Sequence, residues 1–218
     1  MTQSRQLLRR QLRQRRRSLP PSAQRRAGQA LIQQLQNHPW LTNTKKVALY
    51  WPADGELDPR PLAKRLWRAG VKCYLPVLHP WQKRQLWFTP FTPATRFRRN
   101  RFGIAEPIAH QSAPLSARHL DLVLTPLVGF DRTGGRLGMG GGFYDTTFAF
   151  KRRTPGHSKP KLIGLAHSCQ EVEKLPLEPW DIPLDAVVTE REVIVGRRRS
   201  DAERLSRSHP LSNPKHGS

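Results

Sequence analysis

Leu7, Leu8 and Leu12 fall on one side of a helix drawn over residues 4–17, and arginines cover the rest. Pro20 and Pro21 close it. Ser22 is a candidate N-cap for a second helix with Ala27, Leu31 and Leu35 on one face. VALY at residues 47–50 reads as a buried strand. After a loop, Asp58 caps a helix whose first residue is Pro59, the position proline favours; Leu62, Leu66 and Ala69 form its apolar stripe and Gly70 stops it. Residues 71–77 form the next strand. Strand, helix and strand in this order predict a parallel sheet.

Residues 86–91 predict a further strand. Residues 96–101 read as a basic loop, closed by Phe102, Gly103, Ile104 and the pair Glu106-Pro107. LDLVLTPLV at residues 120–128 is the most apolar run and predicts a central strand. A long turn over 129–142 leads into a helix near Phe143, and residues 162–166 and 186–188 predict two more strands. After Gly196 the chain becomes polar and basic. The expected organisation is one α/β domain over residues 1–196, three layers with a central, mostly parallel sheet flanked by helices, followed by a basic, disordered tail over 197–218.

The chain has 218 residues, a hydrophobic fraction of 37%, and 20 prolines with 15 glycines, which suits many short elements around a packed core. No twenty-residue apolar run is present, so no membrane span is expected. The N-terminal segment lacks the apolar stretch of a secretory signal; being rich in Arg and free of acids, it leaves a mitochondrial transit peptide open on composition alone. Cys73 and Cys169 supply no disulfide framework and suit a reducing, cytoplasmic setting. The net charge of +22 invites a polyanion-binding reading. Its distribution is terminal: nine arginines precede the first acid, Asp54, and more follow Gly196. The N-terminal arginines carry no aromatics among them, so they are expected to form a solvated face, with only non-specific nucleic-acid association through the basic ends.

The chemistry concentrates in Gly134-Gly135-Arg136-Leu137-Gly138-Met139-Gly140-Gly141-Gly142-Phe143-Tyr144-Asp145, which joins a buried strand to a helix. In that setting backbone N–H groups gather around phosphate, glycines allow close approach, and Arg136 adds charged donors. No Gly-Lys-Ser/Thr follows, and the glycine spacing misses the dinucleotide fingerprint. Spacing alone leaves a flexible surface loop as the alternative. It also leaves Asp145 open between a magnesium ligand and a first-turn acid.

PLVGFDRTGGRLGMGGGFYD (residues 126–145) resembles the signature of the 5-formyltetrahydrofolate cyclo-ligase family. ALYWPADGELDPRPL, VKCYLPVLHP, RFGIAEP and EKLPLEPWDIPLDAVVT are similar to further family segments in the family's order, over about residues 4–190. Arg5 to Arg9 resembles the family's N-terminal Lys-x-x-Leu-Arg, with Arg where Lys is usual. The resemblance implies ATP and Mg2+ dependence, with 5-formyltetrahydrofolate converted to 5,10-methenyltetrahydrofolate and release of ADP and phosphate. It implies ATP contacts from Arg5, Arg9, Arg136, Leu137, Gly138, Met139, Gly140, Gly141, Gly142, Phe143 and Tyr144. Folate contacts are implied for Trp51, Glu56, Met139, Gly140, Gly141, Gly142 and Phe143. Glu56, Arg136 and Asp145 would carry catalysis, and Asp145 with Asp181 would bind the metal, Asp185 being the neighbouring alternative to Asp181. A monomer is expected.

Overall fold

The computed structural model describes residues 4–36, 38–99, 105–108, 114–152 and 159–196. Ser4 Oγ accepts the Leu7 N–H at 3.3 Å and opens helix α1 (Arg5–Arg17), whose last turn carries Arg15, Arg16 and Arg17 against the negative end of its dipole. Leu8 and Leu12 are buried while Leu7 is largely exposed, so the apolar stripe is narrower than three leucines suggest. Helix α2 (Pro21–Leu35) starts with proline in its first turn and no side-chain cap, which removes Ser22 from that role. A short helix α3 (Pro39–Thr42) precedes strand β1 (Lys46–Ala48). Asp58 Oδ1 accepts the Arg60 N–H at 2.9 Å at the head of helix α4 (Arg60–Arg68), and Gly70, at φ +73°, turns the chain out of it.

The strands that follow are β2 (Lys72–Leu78), β3 (Leu86–Phe91), β4 (Phe97–Arg99), β5 (Ala105–Pro107), β6 (Leu122–Pro126), β7 (Gly129–Phe130), β8 (Arg136–Leu137), β9 (Lys161–Leu165), β10 (Ala186–Val188) and β11 (Val193–Val195), with helix α5 (Phe143–Thr147) between β8 and β9. The main sheet has seven strands in the order β11-β10-β9-β6-β1-β2-β3. Its interior strands β2, β1, β6, β9 and β10 run parallel, and both edge strands, β3 and β11, run antiparallel to their neighbours.

Alternation assigns the two faces. Val47, Cys73, Leu75, Leu122, Leu124, Ile163 and Val188 join Leu31, Leu35, Leu62 and Leu66 of α2 and α4 on one side. Ala48, Tyr74, Val123, Leu162 and Val187 join Phe130, Phe148, Ile182 and Leu184 on the other. Full helices thus cover one face, and short helical turns and extended segments cover the second. Helix α1 sits apart from both layers. Leu8 and Leu12 pack with Val128, Leu137 and Leu175, clamping the helix across the segment after β6.

Three expected features changed. The basic segment 96–101 contributes β4, which pairs antiparallel with β5. The long turn 129–142 holds the β7–β8 hairpin, in which Gly129 pairs with Leu137 and Phe130 with Arg136. Strand β11 was not anticipated. Residues 101–104 and the tail 197–218 lie outside the described residues.

The position of α1 depends on a few apolar contacts. Leu12 is fully buried, so Leu12→Ala is expected to cost about 2–5 kcal/mol in urea unfolding. A loss near zero would show that α1 does not dock on the hairpin.

Candidate functional site

Strand order reverses at one place. From β1 the chain crosses to β2 on one side; from β6 it crosses to β9 on the other. In open parallel sheets the crevice between the carboxyl ends of two such strands is where ligands bind. Both motif-bearing loops start there.

The loop after β1 makes a tight turn. Asp54 and Gly55 take φ +54° and +74°, Glu56 N–H donates to the Ala53 carbonyl at 2.9 Å, and Ala53 N–H donates to Glu56 Oε2 at 3.1 Å. Helix α1 holds this turn from behind. Arg16 is fully buried; its Nε donates to the Asp54 carbonyl (2.9 Å), Nη2 to Asp54 Oδ2 (2.7 Å) and Nη1 to the Leu127 carbonyl (3.2 Å). Arg13 donates to Asp54 Oδ2 at 2.8 Å, and Arg17 bonds the other oxygen. All three are structural ion-pair partners; Arg16 is buried, against the solvated face expected from the clustering, whereas Arg17 stays 56% exposed. Burial works to raise the Asp54 pKa, but hydrogen bonds from Arg13 and Arg17 and the charge of Arg16 together hold it below the usual carboxylate range. Glu56 differs. Burial pushes its carboxyl up to about 7, against the opposing Ala53 N–H and Arg16 charge.

The glycine segment is shaped from both ends. Asp131, buried, accepts from Thr133 N–H, Thr133 Oγ and Gly135 N–H through Oδ1 at 2.6–3.0 Å and from Leu175 N–H through Oδ2 at 3.0 Å, and so fixes the hairpin turn. Beyond β8, Gly140 and Gly142 sit at φ +98° and +69°, a conformation side chains resist. Arg9 Nε donates to the Gly138 carbonyl at 2.8 Å, and its guanidinium lies where a Cβ on Gly140 would be 3.5 Å away. Arg136 Nη2 donates to Asp145 Oδ1 at 2.6 Å, and its guanidinium lies 5.3 Å from the Tyr144 ring centre. Arg136 Nε is buried and has no hydrogen-bond partner among the described residues. A buried donor left unpaired is costly unless a bound group takes it up.

These parts border a cleft of about 490 Å³. Arg5, Arg9, Trp51, Glu56, Arg136, Gly138, Met139, Gly140, Gly141, Gly142, Phe143, Tyr144, Asp145 and Asp181 all line it. Leu137 does not. Its backbone pairs with Gly129, and its side chain, 1% exposed, packs against Leu8 and Leu12. Alternation along β8 sends Arg136 to the cleft and Leu137 to the core. Asp181 and Asp185 separate cleanly. Asp185 is tied to Lys161 Nζ (3.2 Å) and Leu162 N–H (2.9 Å) at the start of β9 and lies outside the cleft lining. Asp181 lies in the cleft, where Arg5 contacts both its oxygens at 2.7 and 3.3 Å and Glu178 N–H donates to Oδ2 at 2.8 Å. Trp51 is half-buried, with Phe97 4.2 Å from its ring centre and the Arg60 guanidinium 5.0 Å away.

The lining also includes Leu75, Pro76, Val77 and Leu78 of β2, with Leu86, Tyr50, Glu106 and Trp180. None was assigned a role from the sequence, although most lie in segments that resemble the family's. The β2 wall was read there as a strand and Glu106 as part of a loop; here Glu106 Oε1 accepts the Leu78 N–H at 2.8 Å. Among the described residues no group of three or more His, Cys, Asp or Glu side chains gathers to cage a metal. Asp145 Oδ1 accepts from Arg136 and from Ile182 N–H (3.2 Å), while no described residue donates to Oδ2. One such carboxylate suits magnesium, which commonly takes one or two protein acids and completes its shell with substrate phosphates and water.

Comparison with known proteins decides the family. The model of the 5-formyltetrahydrofolate cyclo-ligase family matches residues 1–190. The chain belongs to this family. It is 46% identical over 182 residues to the 5-formyltetrahydrofolate cyclo-ligase of Escherichia coli K12, covering 84% of this chain and 98% of that protein. It is 42% identical over 186 residues to the Haemophilus influenzae cyclo-ligase, covering 84% and 96%. The solved 5,10-methenyltetrahydrofolate synthetase of Aquifex aeolicus superposes with a TM-score of 0.74 at 29% identity, over 98% of this chain and 99% of that one. This cyclo-ligase-family protein is thus an enzyme of the ligase class, with the expected α/β fold. No helix among its described residues is long and apolar enough to cross a membrane.

Glu56 gives the cyclo-ligase fold a pH signature. Its folded pKa, about 7, lies above the ordinary carboxyl value of 4.5, so its contribution to stability is full below about pH 4.5 and is lost as pH rises through about 7. Chemical unfolding from pH 4.5 to 8 is expected to show this loss in the wild type and not in Glu56→Gln. Parallel curves for the two proteins would contradict the assigned environment.

Proposed function

We propose that the enzyme converts 5-formyltetrahydrofolate to 5,10-methenyltetrahydrofolate using ATP, with release of ADP and phosphate. The formyl oxygen is a poor leaving group. Its attack on the γ-phosphorus of ATP expels ADP and leaves an imidate-like phosphate. N10 then attacks the formyl carbon, N10 loses its proton, and phosphate departs as the ring closes. There is little covalent work for the protein, so its part is positioning and charge neutralisation.

The residues divide accordingly. Backbone amides around residues 138–142 and the guanidinium of Arg136 surround the transferring phosphoryl group, with Arg9 and Arg5 supplying further positive charge. The observation that carries this reading is the Arg136 Nε, buried on a residue of the cleft and without a hydrogen-bond partner among the described residues; a phosphate oxygen is the group that would satisfy it. Asp145 would hold magnesium, which when bound neutralises phosphate charge and orients its oxygens. Asp181 serves by fixing Arg5 toward the nucleotide, since both its oxygens are engaged there. Glu56, across the cleft, meets the adjacent N–H donors of the pterin edge with its carboxylate oxygens. The apolar β2 wall and Trp51 receive the flat ring. The unpaired thiols of Cys73 and Cys169 suit a reducing cytoplasm.

Purified protein given 5-formyltetrahydrofolate, magnesium and ATP is expected to produce methenyltetrahydrofolate absorbance, and none when ATP is omitted. Product without ATP, or none with it, would overturn the proposal. Arg136→Ala is expected to lower turnover roughly 10²–10³-fold, as loss of one aimed donor does, with the unfolding curve retained. Asp145→Ala should fall as steeply; near-normal rates in both variants would remove the assigned roles.

A further inference from the structure

Arg16 is the side chain that the established features leave unexplained. It is fully buried in α1, and its three guanidinium nitrogens reach two separate chain segments. Nε and Nη2 bond the backbone and carboxylate of Asp54 in the loop after β1. Nη1 bonds the carbonyl of Leu127, directly after β6. The fork therefore spans the reversal point of the sheet, tying together the two loops that border the cleft. Its Nη1 also lies 3.8 Å from Glu56 Oε1. A guanidinium suits this place because its donors diverge in one plane; an ammonium of the same charge cannot reach all these acceptors at once.

The same turn is supported elsewhere. His167 Nε2 lies 3.2 Å from the Gly55 carbonyl, and Gly55 packs against the Arg16 backbone and side chain. The charged and titratable groups facing Glu56 are Arg16 and Arg13 from α1, Asp54 within its own loop, Tyr50 after β1 and Tyr144 from α5. Arg13 spends its Nε on Asp54, and its side chain is 33% exposed, against 0% for Arg16. Arg16 is the less screened cation near Glu56.

We propose that Arg16 is a positioning residue for folate binding: its guanidinium holds the loop of residues 53–56 in register with the β6 end and sets a positive charge beside Glu56 where the pterin edge arrives. The inference rests on the reading of Glu56 as the folate-binding acid. It adds a role for α1 beyond the nucleotide contacts implied for Arg5 and Arg9. Burial pushes Glu56 toward protonation even beside this cation, and a protonated acid accepts only part of a paired donor edge.

The test is direct binding of 5-formyltetrahydrofolate to the full chain, without nucleotide, from pH 6 to 9, with ADP binding measured alongside. Wild-type affinity should rise with pH through the Glu56 midpoint. In Arg16→Gln the missing cation should move that midpoint up by about one unit, weakening folate binding at pH 7 by about fivefold on top of the pH-independent loss from the missing fork, with only partial recovery at high pH. ADP affinity should stay within about threefold. Arg16→Lys keeps the charge and loses the fork, so its midpoint should stay close to wild type while folate binding weakens at every pH. A wild-type midpoint in Arg16→Gln, or equal loss of folate and ADP binding at all pH values, overturns the proposal. If Arg16→Gln does not fold, wild-type folate affinity in Arg16→Lys overturns it. Glu56→Gln, measured in parallel, separates the two ideas: undiminished folate binding there removes the reading of Glu56 itself, whereas loss there with unaffected Arg16 variants removes only the inference.

Discussion

The chain leaves β1 toward one side of the sheet and β6 toward the other, and the gap between those carboxyl ends cannot be filled by either crossover. That constraint organises the rest of the molecule. Two loops, residues 49–57 and the hairpin with its glycine run, both border the cleft there. Neither loop is anchored by the sheet alone. Helix α1 supplies the missing support, with Leu8 and Leu12 against the hairpin and three arginines against the Asp54 turn. The proposed meeting of a phosphoryl donor and a pterin would gain from having both loops secured by one element.

The strong positive charge takes on a different meaning in this light. On composition it suggests a polyanion-binding surface. In the fold part of the N-terminal charge is spent on fixed partners: Arg16, Arg13 and Arg17 converge on Asp54, Arg5 on Asp181, and Arg9 on the Gly138 carbonyl, while Arg10, Arg15, Arg25 and Arg26 stay exposed. Arginine does this where lysine would not, because a rigid fork can satisfy several acceptors while staying charged. Two kinds of carboxylate result. Asp54 sits among three guanidinia and stays ionised, whereas Glu56, two residues on, is buried with weaker compensation and has its pKa lifted toward neutrality. Groups with separated environments on one short turn are a frequent mark of a working site.

Local pattern carried much of this into the sequence. The 120–128 run, the Pro59 helix start and the Gly70 stop rest on neighbours in the chain, and so does the strand-to-glycine-to-helix order around Arg136. The β7–β8 hairpin and the three-residue strands β4, β5 and β11 are too short to display a period. Leu137 lies inside the glycine motif yet belongs to the core, because two residues of strand suffice to point neighbours in opposite directions. Asp181 and Asp185 could not be told apart by position; the ties of Asp185 to Lys161 and Leu162, against the contact of Asp181 with Arg5 in the cleft, separate them. Arg16 was hidden altogether. Within a run of arginines nothing local distinguishes the one that meets Asp54 and Leu127 across long stretches of chain.

The central claim is that phosphates and pterin meet in the crevice between β1 and β6. A crystal structure with magnesium, a non-hydrolysable ATP analogue and 5-formyltetrahydrofolate tests it most directly. The account predicts the triphosphate against the backbone of residues 138–142 with Arg136 Nε on a phosphate oxygen, and the pterin edge on Glu56. A nucleotide bound elsewhere, with Arg136 Nε still unpaired, would contradict it.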